Sequence, residues 1–246
     1  DKTGTLTQNQ MSVREAHFFS LGEKSALGDS LMSKVIAECI ACNSTAYLDV
    51  SNPEKAKALG NPTEGALLLW LRENGVDYLP VREGVKVVEQ LPFSTERKYM
   101  ATIVESKAIG KRVLYVRGAP EILIKMSKTI AEGVAVADIE KMLAGFQAKA
   151  MRTLGFAYQV LEDGDAAIEN RKVVANRLEL IGVTAIADPV RSDVPAAIND
   201  CLGAGIDVKI VTGDTVGTAC EIGRQVGLWK EDDTRERNHI SGPDFA

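Results

Sequence analysis

The chain opens on DKTGTLT, residues 1–7, and our expectation of its fold starts from these residues. A carboxylate at the end of a strand can attack a phosphoryl group and form an aspartyl phosphate. Gly4 lets the backbone turn tightly and leaves amide N–H groups free for phosphate oxygens, while Thr3 and Thr5 add hydroxyl donors. We therefore predict a phosphoryl-transfer loop with Asp1 as its nucleophile. The alternative is an exposed turn rich in threonine and glycine.

A second informative stretch lies toward the other end of the chain. A helical pattern over 192–202 is followed by a short apolar strand pattern over 208–211, then by Thr-Gly-Asp and a helical pattern over 215–226. A strand, a loop of this kind and a helix are typical of a parallel βαβ arrangement. We place a boundary near Asp188 and expect residues 1–9 and 188–246 to form one incomplete Rossmann-like domain, into which residues 10–187 are inserted.

The inserted middle alternates helix and strand patterns, which favours an α/β or α+β fold. Helices are predicted from a cap at Asp29 or Ser30 to about Cys42, from a cap at Thr63 to a stop at Gly75, over 121–127 and over 138–151. Strands are predicted over 85–91, 100–105, 112–117, 154–161 and 178–187, with a hairpin turn at 108–111. We expect an antiparallel sheet flanked by helices.

Composition narrows the class of protein. The net charge of −5 and the isoelectric point of about 5.3 disfavour non-specific nucleic-acid binding. Apolar runs such as 180–187 are far shorter than the ~18–20 residues of a membrane span, and the 4 cysteines are too scattered for a disulfide framework. We interpret the chain as soluble, reduced and cytosolic. It starts with aspartate rather than methionine, so composition does not exclude an origin in a longer membrane protein.

Residues 1–7 match the phosphorylation motif of the P-type ion-pumping ATPases, and the chain resembles that family of the haloacid-dehalogenase-like superfamily. The resemblance implies that Asp1 is the phosphorylated residue and that Asp1 and the Thr3 carbonyl hold Mg²⁺. Soluble phosphatases of the superfamily usually carry a general acid/base aspartate where Thr3 stands. Without that base the aspartyl phosphate persists, which favours a pump over the alternative, a soluble phosphatase. A non-catalytic nucleotide-binding module is the second alternative.

The middle of the chain resembles the ATP-binding domain of that family. The motif GNPTEGAL (60–67) implies that Glu64 accepts a hydrogen bond from the adenine amino group. The motif PFSTERKYM (92–100) implies that Phe93 stacks on adenine and that Lys98 holds the base edge or approaches the phosphates. The resemblance thus places one wall and one edge of an adenine site.

Two further motifs bring positive charge. The segment VRGAPE (116–121) resembles a Lys-Gly-Ala-Pro-Glu motif with Arg117 in place of lysine, and arginine keeps the charge but is bulkier and flatter. We expect Gly118 to leave room for the ligand. The segment MRTLG (151–155) implies that Arg152 reaches the nucleotide phosphates.

The motifs DPVR (188–191) and VTGD (211–214) complete the resemblance. The first resembles the hinge between the nucleotide and phosphorylation domains, where Asp188 and Arg191 can pair across the hinge or contact ribose. In the second, the resemblance implies that Thr212 and Gly213 hold the transferred phosphoryl group and that Asp214 organises the loop.

The resemblance implies a membrane-bound parent pump that uses ATP and Mg²⁺, with this region in the cytoplasm. Transmembrane and actuator domains of the same pump are its expected partners, nucleic acid is not, and the membrane is reached only through segments that this sequence lacks. The motif DPVR, followed by Val194-Pro195, resembles the corresponding residues of the calcium pumps. The match stops before the later Gly-Asp-Gly-x-Asn-Asp loop, which supplies a second carboxylate for Mg²⁺. We therefore expect this chain to bind ATP without phosphorylating itself efficiently, and to be disordered or non-natively packed near Asp1 and over the last ~50 residues.

Two other features are weaker candidates. Cys39 and Cys42 have the spacing of metal ligands, but no second pair or nearby histidine completes a tetrahedral site. We interpret both as core thiols on a helix. His17 and His239 are isolated in the sequence, and we expect neither to be catalytic.

Overall fold

The computed structural model describes residues 2–22, 26–52, 56–131, 133–213, 216–229 and 240. Asp1, Asp214 and His239 lie outside these ranges, as does most of the chain after 229. The strands are β1 (Ser12–Phe18), β2 (Tyr47–Asp49), β3 (Lys57–Leu59), β4 (Lys86–Leu91), β5 (Tyr99–Glu105), β6 (Arg112–Gly118), β7 (Thr129–Ile130), β8 (Arg152–Leu161), β9 (Ile168–Glu169), β10 (Lys172–Val173) and β11 (Glu179–Ala187). The helices are α1 (Leu31–Cys42), α2 (Pro62–Glu73), α3 (Tyr78–Glu83), α4 (Pro120–Met126), α5 (Val136–Ala148), α6 (Val194–Gly203) and α7 (Val216–Gln225).

One sheet organises the middle of the chain. Its strands lie in the order β1-β11-β8-β6-β5-β4, and every neighbouring pair in that order is antiparallel. The short strand β7 pairs with β11 in parallel. At the centre, Tyr115 of β6 lies opposite Thr102 of β5 and Tyr158 of β8. The predicted antiparallel sheet is confirmed.

Helices cover both faces of this sheet because β6 alternates its buried side chains. Val113 and Tyr115 pack into a core with residues of α1 and α2. Leu114 and Val116 pack into a second core with residues of α4 and α5. Successive side chains of a strand point to opposite faces, so Arg117, the next residue after Val116, points toward α1 and α2.

The two long helices of the first face begin at polar caps. Ser30 caps α1, since its hydroxyl accepts a hydrogen bond from the Ser33 amide. Asn61 caps α2, with its side chain accepting from the amides of Thr63 and Glu64. The predicted cap at Thr63 was wrong because Pro62 is the first residue of α2, and proline suits that position with its preset φ and missing N–H. Asn61, directly before it, therefore takes the cap.

The predicted strand over 208–211 is also wrong. None of these residues belongs to a strand, and Val211 is 77% exposed. A strand exists only when a neighbour completes its ladder of hydrogen bonds, and none of the described residues pairs with this stretch. The helices predicted on either side are present as α6 and α7.

The opening segment runs beside the stretch that follows β11. Thr7 forms an antiparallel bridge with Val190. The Gln8 amide donates to the Pro189 carbonyl at 3.0 Å, and the Arg191 amide donates to the Leu6 carbonyl at 2.9 Å. Leu6 also packs against a small cluster of buried residues, namely Ile198 of α6, Ile222 of α7 and Val226 just after α7. Tertiary contacts thus join the two ends of the described chain.

Candidate nucleotide site

A buried ion pair lies where the start of α2 meets the end of β6. The Asn61 cap places Glu64 in the first turn of α2, and the alternation of β6 directs Arg117 toward the same helix. Arg117 Nη2 donates to Glu64 Oε1 at 2.8 Å. Both residues are buried, at 6% exposure for Glu64 and 4% for Arg117. Arg117 is therefore an internal charge rather than a solvated one at the end of a strand.

The loop after α1 closes around the other carboxylate oxygen. Glu64 Oε2 accepts from the Thr45 amide at 2.6 Å, the Thr45 hydroxyl at 2.9 Å, the Ser44 hydroxyl at 3.2 Å and the Ala46 amide at 3.2 Å. Burial alone would raise the pKa of Glu64, but Arg117 and the hydrogen bonds from Thr45 and Ser44 together lower it. The carboxylate is thus ionised in the fold, and Oε1 is the oxygen that carries fewer hydrogen bonds.

Arg117 is held on one side and has a free atom on the other. Its Nη2 atom also lies 2.7 Å from Met100 Sδ. Its Nη1 atom is buried without a hydrogen-bond partner among the described residues. Burial lowers the pKa of the Arg117 guanidinium and Glu64 opposes that change; arginine starts so far above neutrality that it stays charged. We call the place where the start of α2 meets the end of β6 the corner. A buried donor without a partner suits a hydrogen-bond acceptor of a ligand bound at this corner.

Gly118 is required by the sheet itself. A Cβ atom at this position would lie 2.4 Å from the Lys98 carbonyl oxygen and 2.5 Å from Tyr99 Cβ. The backbone of the neighbouring strand β5 thus takes the space on the Cβ side of Gly118. That this glycine leaves room for a ligand stays a prediction.

The loop before β5 presents an aromatic ring. Phe93 is 56% exposed, although large apolar side chains are mostly buried in this sheet. The Lys98 amide donates to the Ser94 carbonyl at 2.8 Å, and the Lys98 carbonyl accepts from the Ala119 amide at 2.9 Å. Lys98 itself is exposed and has a φ of 60°. The loop thus turns sharply just before β5 and sets Lys98 beside the end of β6, with Phe93 earlier in the same loop.

Arg152 joins the same corner from β8. Its Nη1 atom donates to the Thr63 hydroxyl at 2.6 Å. Thr63 directly precedes Glu64, so the first turn of α2 contacts both Arg117 and Arg152. The fold therefore brings Glu64, Arg117, Gly118, Lys98 and Arg152 together from four separate motifs, with Phe93 on the adjoining loop.

Two concavities elsewhere in the structure are not lined by these residues. A cavity of about 120 Å³ lies beside Tyr78 and Leu79 of α3. An open groove of about 510 Å³ runs between Trp70 of α2 and Ser12 of β1. Chemistry and exposure, rather than concavity, thus single out the corner at α2 and β6.

Comparison with known proteins identifies the family. Residues 31–193, more than half of the chain, match the family model described as P-type ATPase, cytoplasmic domain N. The chain belongs to the P-type ATPase family. The resemblance read from the sequence is confirmed.

Similar proteins carry the names of calcium pumps. The chain is 35% identical over 243 residues to a calcium-transporting ATPase, PAT1, of Dictyostelium discoideum, covering 94% of this chain and 21% of that protein. It is 36% identical over 249 residues to plasma membrane calcium-transporting ATPase 4 of Bos taurus, covering 93% and 20%. It is 32% identical over 243 residues to calcium-transporting ATPase 1 of Lactococcus lactis, covering 95% and 27%. The chain thus spans between 20% and 27% of the length of these relatives.

The P-type ATPase motifs outside the corner are less assembled. Asp188 accepts from the Thr7 hydroxyl at 2.6 Å and from the Gln10 amide at 3.1 Å. Arg191 lies 3.5 Å from Asp193, an exposed pair, rather than bonding Asp188. Thr212 and Gly213 lie in the irregular stretch between α6 and α7. Asp1 and Asp214 are outside the described residues, so the roles expected of them remain predictions.

The magnesium ligands that the resemblance implies, Asp1 and the Thr3 carbonyl, stay a prediction, because Asp1 lies outside the described residues. Thr3 is exposed. Among the described residues no group of three histidine, cysteine, aspartate or glutamate side chains could hold a metal ion.

Burial raises the pKa of both Cys39 and Cys42 to about 12, which fits packed, protonated thiols. His17 lies 3.5 Å from Glu15 and beside the ring of Phe146.

The sequence did not identify the residues that hold the site in place. Ser44, Thr45 and Thr63 bond Glu64 or Arg152 directly. A polar Ser-Thr pair just after the end of α1 was the available signal, yet such pairs are common in turns.

No helix in the described ranges combines the length and the apolar character that crossing a membrane requires.

Proposed function

We propose that this chain binds ATP at the corner between α2, β5 and β6, as the nucleotide-binding part of a calcium-transporting P-type ATPase. The observation that carries the proposal is an exposed ring, Phe93, on the loop whose Lys98 bonds the chain just after β6. The same end of the sheet carries the exposed Arg152 and the buried, unpartnered Nη1 atom of Arg117. Its family membership and the names of its relatives support the parent activity.

The adenine base would lie on Phe93. An exposed aromatic face offers stacking to any base, and hydrogen bonds then select among bases. Glu64 Oε1 accepts only from Arg117 among the described residues, so it has capacity for one more donor such as the adenine amino group. Arg117 would act mainly through Glu64, because its guanidinium is buried against that carboxylate.

The triphosphate would lie toward Lys98 and Arg152. Both side chains are exposed and positively charged at the same end of the sheet. Phosphoryl groups prefer such cations, and arginine adds a planar pair of donors. Arg152 also contacts Thr63, so its guanidinium is anchored to the helix that carries Glu64.

In the parent protein the γ-phosphoryl group would pass to Asp1. A carboxylate oxygen of Asp1 attacks the γ-phosphorus, the bond to the β-phosphate oxygen breaks, and ADP leaves. Thr212 and Gly213 would hold the transferred group, and Asp214 would organise their loop. Asp1 and Thr3 would hold Mg²⁺, which neutralises phosphate charge when bound. The parent would lie in a membrane with this region in the cytoplasm, partnered by its own transmembrane and actuator domains.

Calorimetric titration of ATP into the chain and its Phe93→Ala variant tests the proposal. Base stacking on an aromatic side chain contributes roughly 1–3 kcal/mol, so we expect the variant to bind ATP about five- to a hundredfold more weakly. Tyr47→Ala is a matched control, since Tyr47 is also 56% exposed but lies on β2. Equal affinity of the Phe93→Ala variant and the unaltered chain would overturn the proposed site.

The aspartyl phosphate is tested in the full-length parent. Incubation with γ-labelled ATP and Mg²⁺ should leave an acid-stable label that the Asp1→Asn variant lacks. Label of equal strength in that variant would exclude Asp1 as the nucleophile, without affecting the assignment of the ATP site.

A further inference from the structure

The loop that carries Phe93 is clamped by an arginine that the proposed function does not use. Arg97 Nη2 donates to the Pro92 carbonyl at 2.7 Å, and Pro92 is bonded directly to Phe93. The Arg97 amide donates to the Ser94 hydroxyl at 3.2 Å. One residue therefore contacts the positions on both sides of the exposed ring.

Arg97 is itself held in place by its neighbours. Its guanidinium carbon lies 5.9 Å from the centre of the Tyr99 ring, a distance at which a cation is attracted to an aromatic face. Tyr99 is 6% exposed and its hydroxyl accepts from the Val173 amide at 3.0 Å. The anchor of Arg97 is thus a buried residue of the sheet.

The position of the clamp separates it from the phosphate-binding cations. Arg97 points back along its own loop toward Pro92, whereas Lys98 is exposed at the end of the loop. The Arg97 Nε atom is buried and has no partner among the described residues. The side chain of Arg97 therefore bonds the backbone of the loop at Pro92. This bond holds the backbone that leads into Phe93 without the help of a ligand.

We propose that Arg97 is a positioning residue for adenine, which acts by holding Phe93 in the orientation that stacks on the base. This inference rests on the proposed ATP site. A ring ordered in advance loses less conformational entropy on binding. The effect of Arg97 should therefore be transmitted through Phe93 and through the base, and not through the phosphates.

A double-mutant cycle tests the inference. Arg97→Met keeps a long apolar stem and removes the donors, and ordering one side chain accounts for roughly a two- to tenfold change in affinity. We expect Arg97→Met to weaken ATP binding by that amount, and to cause no further loss when Phe93→Ala is already present. Binding of inorganic tripolyphosphate, which has no base, should be unchanged in Arg97→Met. Arg14→Met on β1 is the matched control, because Arg14 is exposed and distant in sequence from the loop.

Each outcome decides a different point. Equal losses of ATP affinity in both backgrounds would overturn the inference, since the effect would not pass through Phe93. Weaker tripolyphosphate binding in Arg97→Met would overturn it as well and make Arg97 a phosphate ligand. Unchanged ATP binding in Arg97→Met, with a loss in Phe93→Ala, would overturn the inference and leave the proposed function intact. Unchanged binding in Phe93→Ala would overturn both. Arg97→Lys retains the positive charge and one donor nitrogen. It is a control for misfolding, and we expect its ATP affinity to lie between those of Arg97→Met and the unaltered chain.

Discussion

Single residues at this corner combine burial with charge. Glu64 and Arg117 form an ion pair that is almost completely removed from water. Taking two charges out of water is costly, so the pair need not add stability as a whole. Losing one partner is different, because it leaves the other charge buried and uncompensated.

Replacement of Arg117 by methionine should destabilise the fold strongly. Breaking a buried pair by removing one partner costs about 3–5 kcal/mol, and urea unfolding of the variant measures that loss. Arg117→Lys keeps the charge and is the matched control, with a smaller expected loss. Equal stabilities of the methionine variant and the unaltered chain would contradict the buried pair.

The same pair should appear in the dependence of stability on pH. The folded pKa of Glu64 is lowered by Arg117 and its hydrogen bonds, against the opposing effect of burial. Its contribution is therefore present above the unfolded pKa, about 4.3, and is lost as pH falls through the folded pKa. Between pH 7 and pH 3, urea unfolding should show a steeper loss for the unaltered chain than for Glu64→Gln. Parallel curves would show that Glu64 does not titrate with folding.

Gly118 offers a prediction about packing. Alanine there would place Cβ within 2.6 Å of three atoms of Lys98 and Tyr99, so β5 and β6 must separate, at a cost of roughly 1–3 kcal/mol. Gly145→Ala in α5 is the control, because nothing lies within 4 Å of its added Cβ. Alanine favours a helix over glycine by about 1 kcal/mol, so thermal unfolding should show a loss for Gly118→Ala and a gain for Gly145→Ala.

At the scale of elements, α2 connects the site to the core. Its first turn carries Thr63 and Glu64, which contact Arg152 and Arg117. Its later turns bury Leu67, Leu68 and Leu71 completely. The helix therefore transmits the rigidity of the core to the two residues at its start.

The cap of α2 should matter for stability. Asn61→Ala removes an acceptor for the amides of Thr63 and Glu64 and should cost about 1 kcal/mol in urea unfolding. Asn61→Ser should keep most of the stability that Asn61→Ala loses, since serine caps helices nearly as well as asparagine. If serine were no better than alanine, the capping bonds would not be the cause.

At the scale of the whole molecule, the sheet and the stretch after α6 differ in how they are held. β6 is paired on both edges, with β5 and with β8. In contrast, residues 206–212 belong to no helix or strand, and Ile206 is 55% exposed. Local stability spans the range from nearly zero to the full free energy of unfolding in such cases.

Hydrogen exchange should resolve this difference. We expect the backbone amides of 206–212 to exchange well before those of β6, with α7 between them, because exchange follows local opening. Mass spectrometry of peptic fragments measures the order. Protection of 206–212 equal to that of β6 would show that these residues do form the predicted strand.

Much of the architecture follows from local pattern. Alternating apolar residues predicted β5 and β6 within one residue of their observed starts, and helical spacing predicted α1 and α2. The failures have a common physical origin. The stretch 208–211 has the composition of a strand but pairs with none of the residues that the structure describes. In contrast, β1 was not predicted and exists because β11 supplies the partner.

The family, the motifs and the kinds of residue at the proposed nucleotide site could be predicted before folding was considered, because these depend on residue identity and spacing along the chain. Three features were visible only in the folded chain: the burial of Arg117 against Glu64, the close approach of Lys98 and Tyr99 to Gly118, and the bond from Arg97 to the loop of Phe93. Those facts depend on which strand lies beside which. Burial and pairing arise between segments distant in sequence, and a charge has its final role only when its neighbours in space are known.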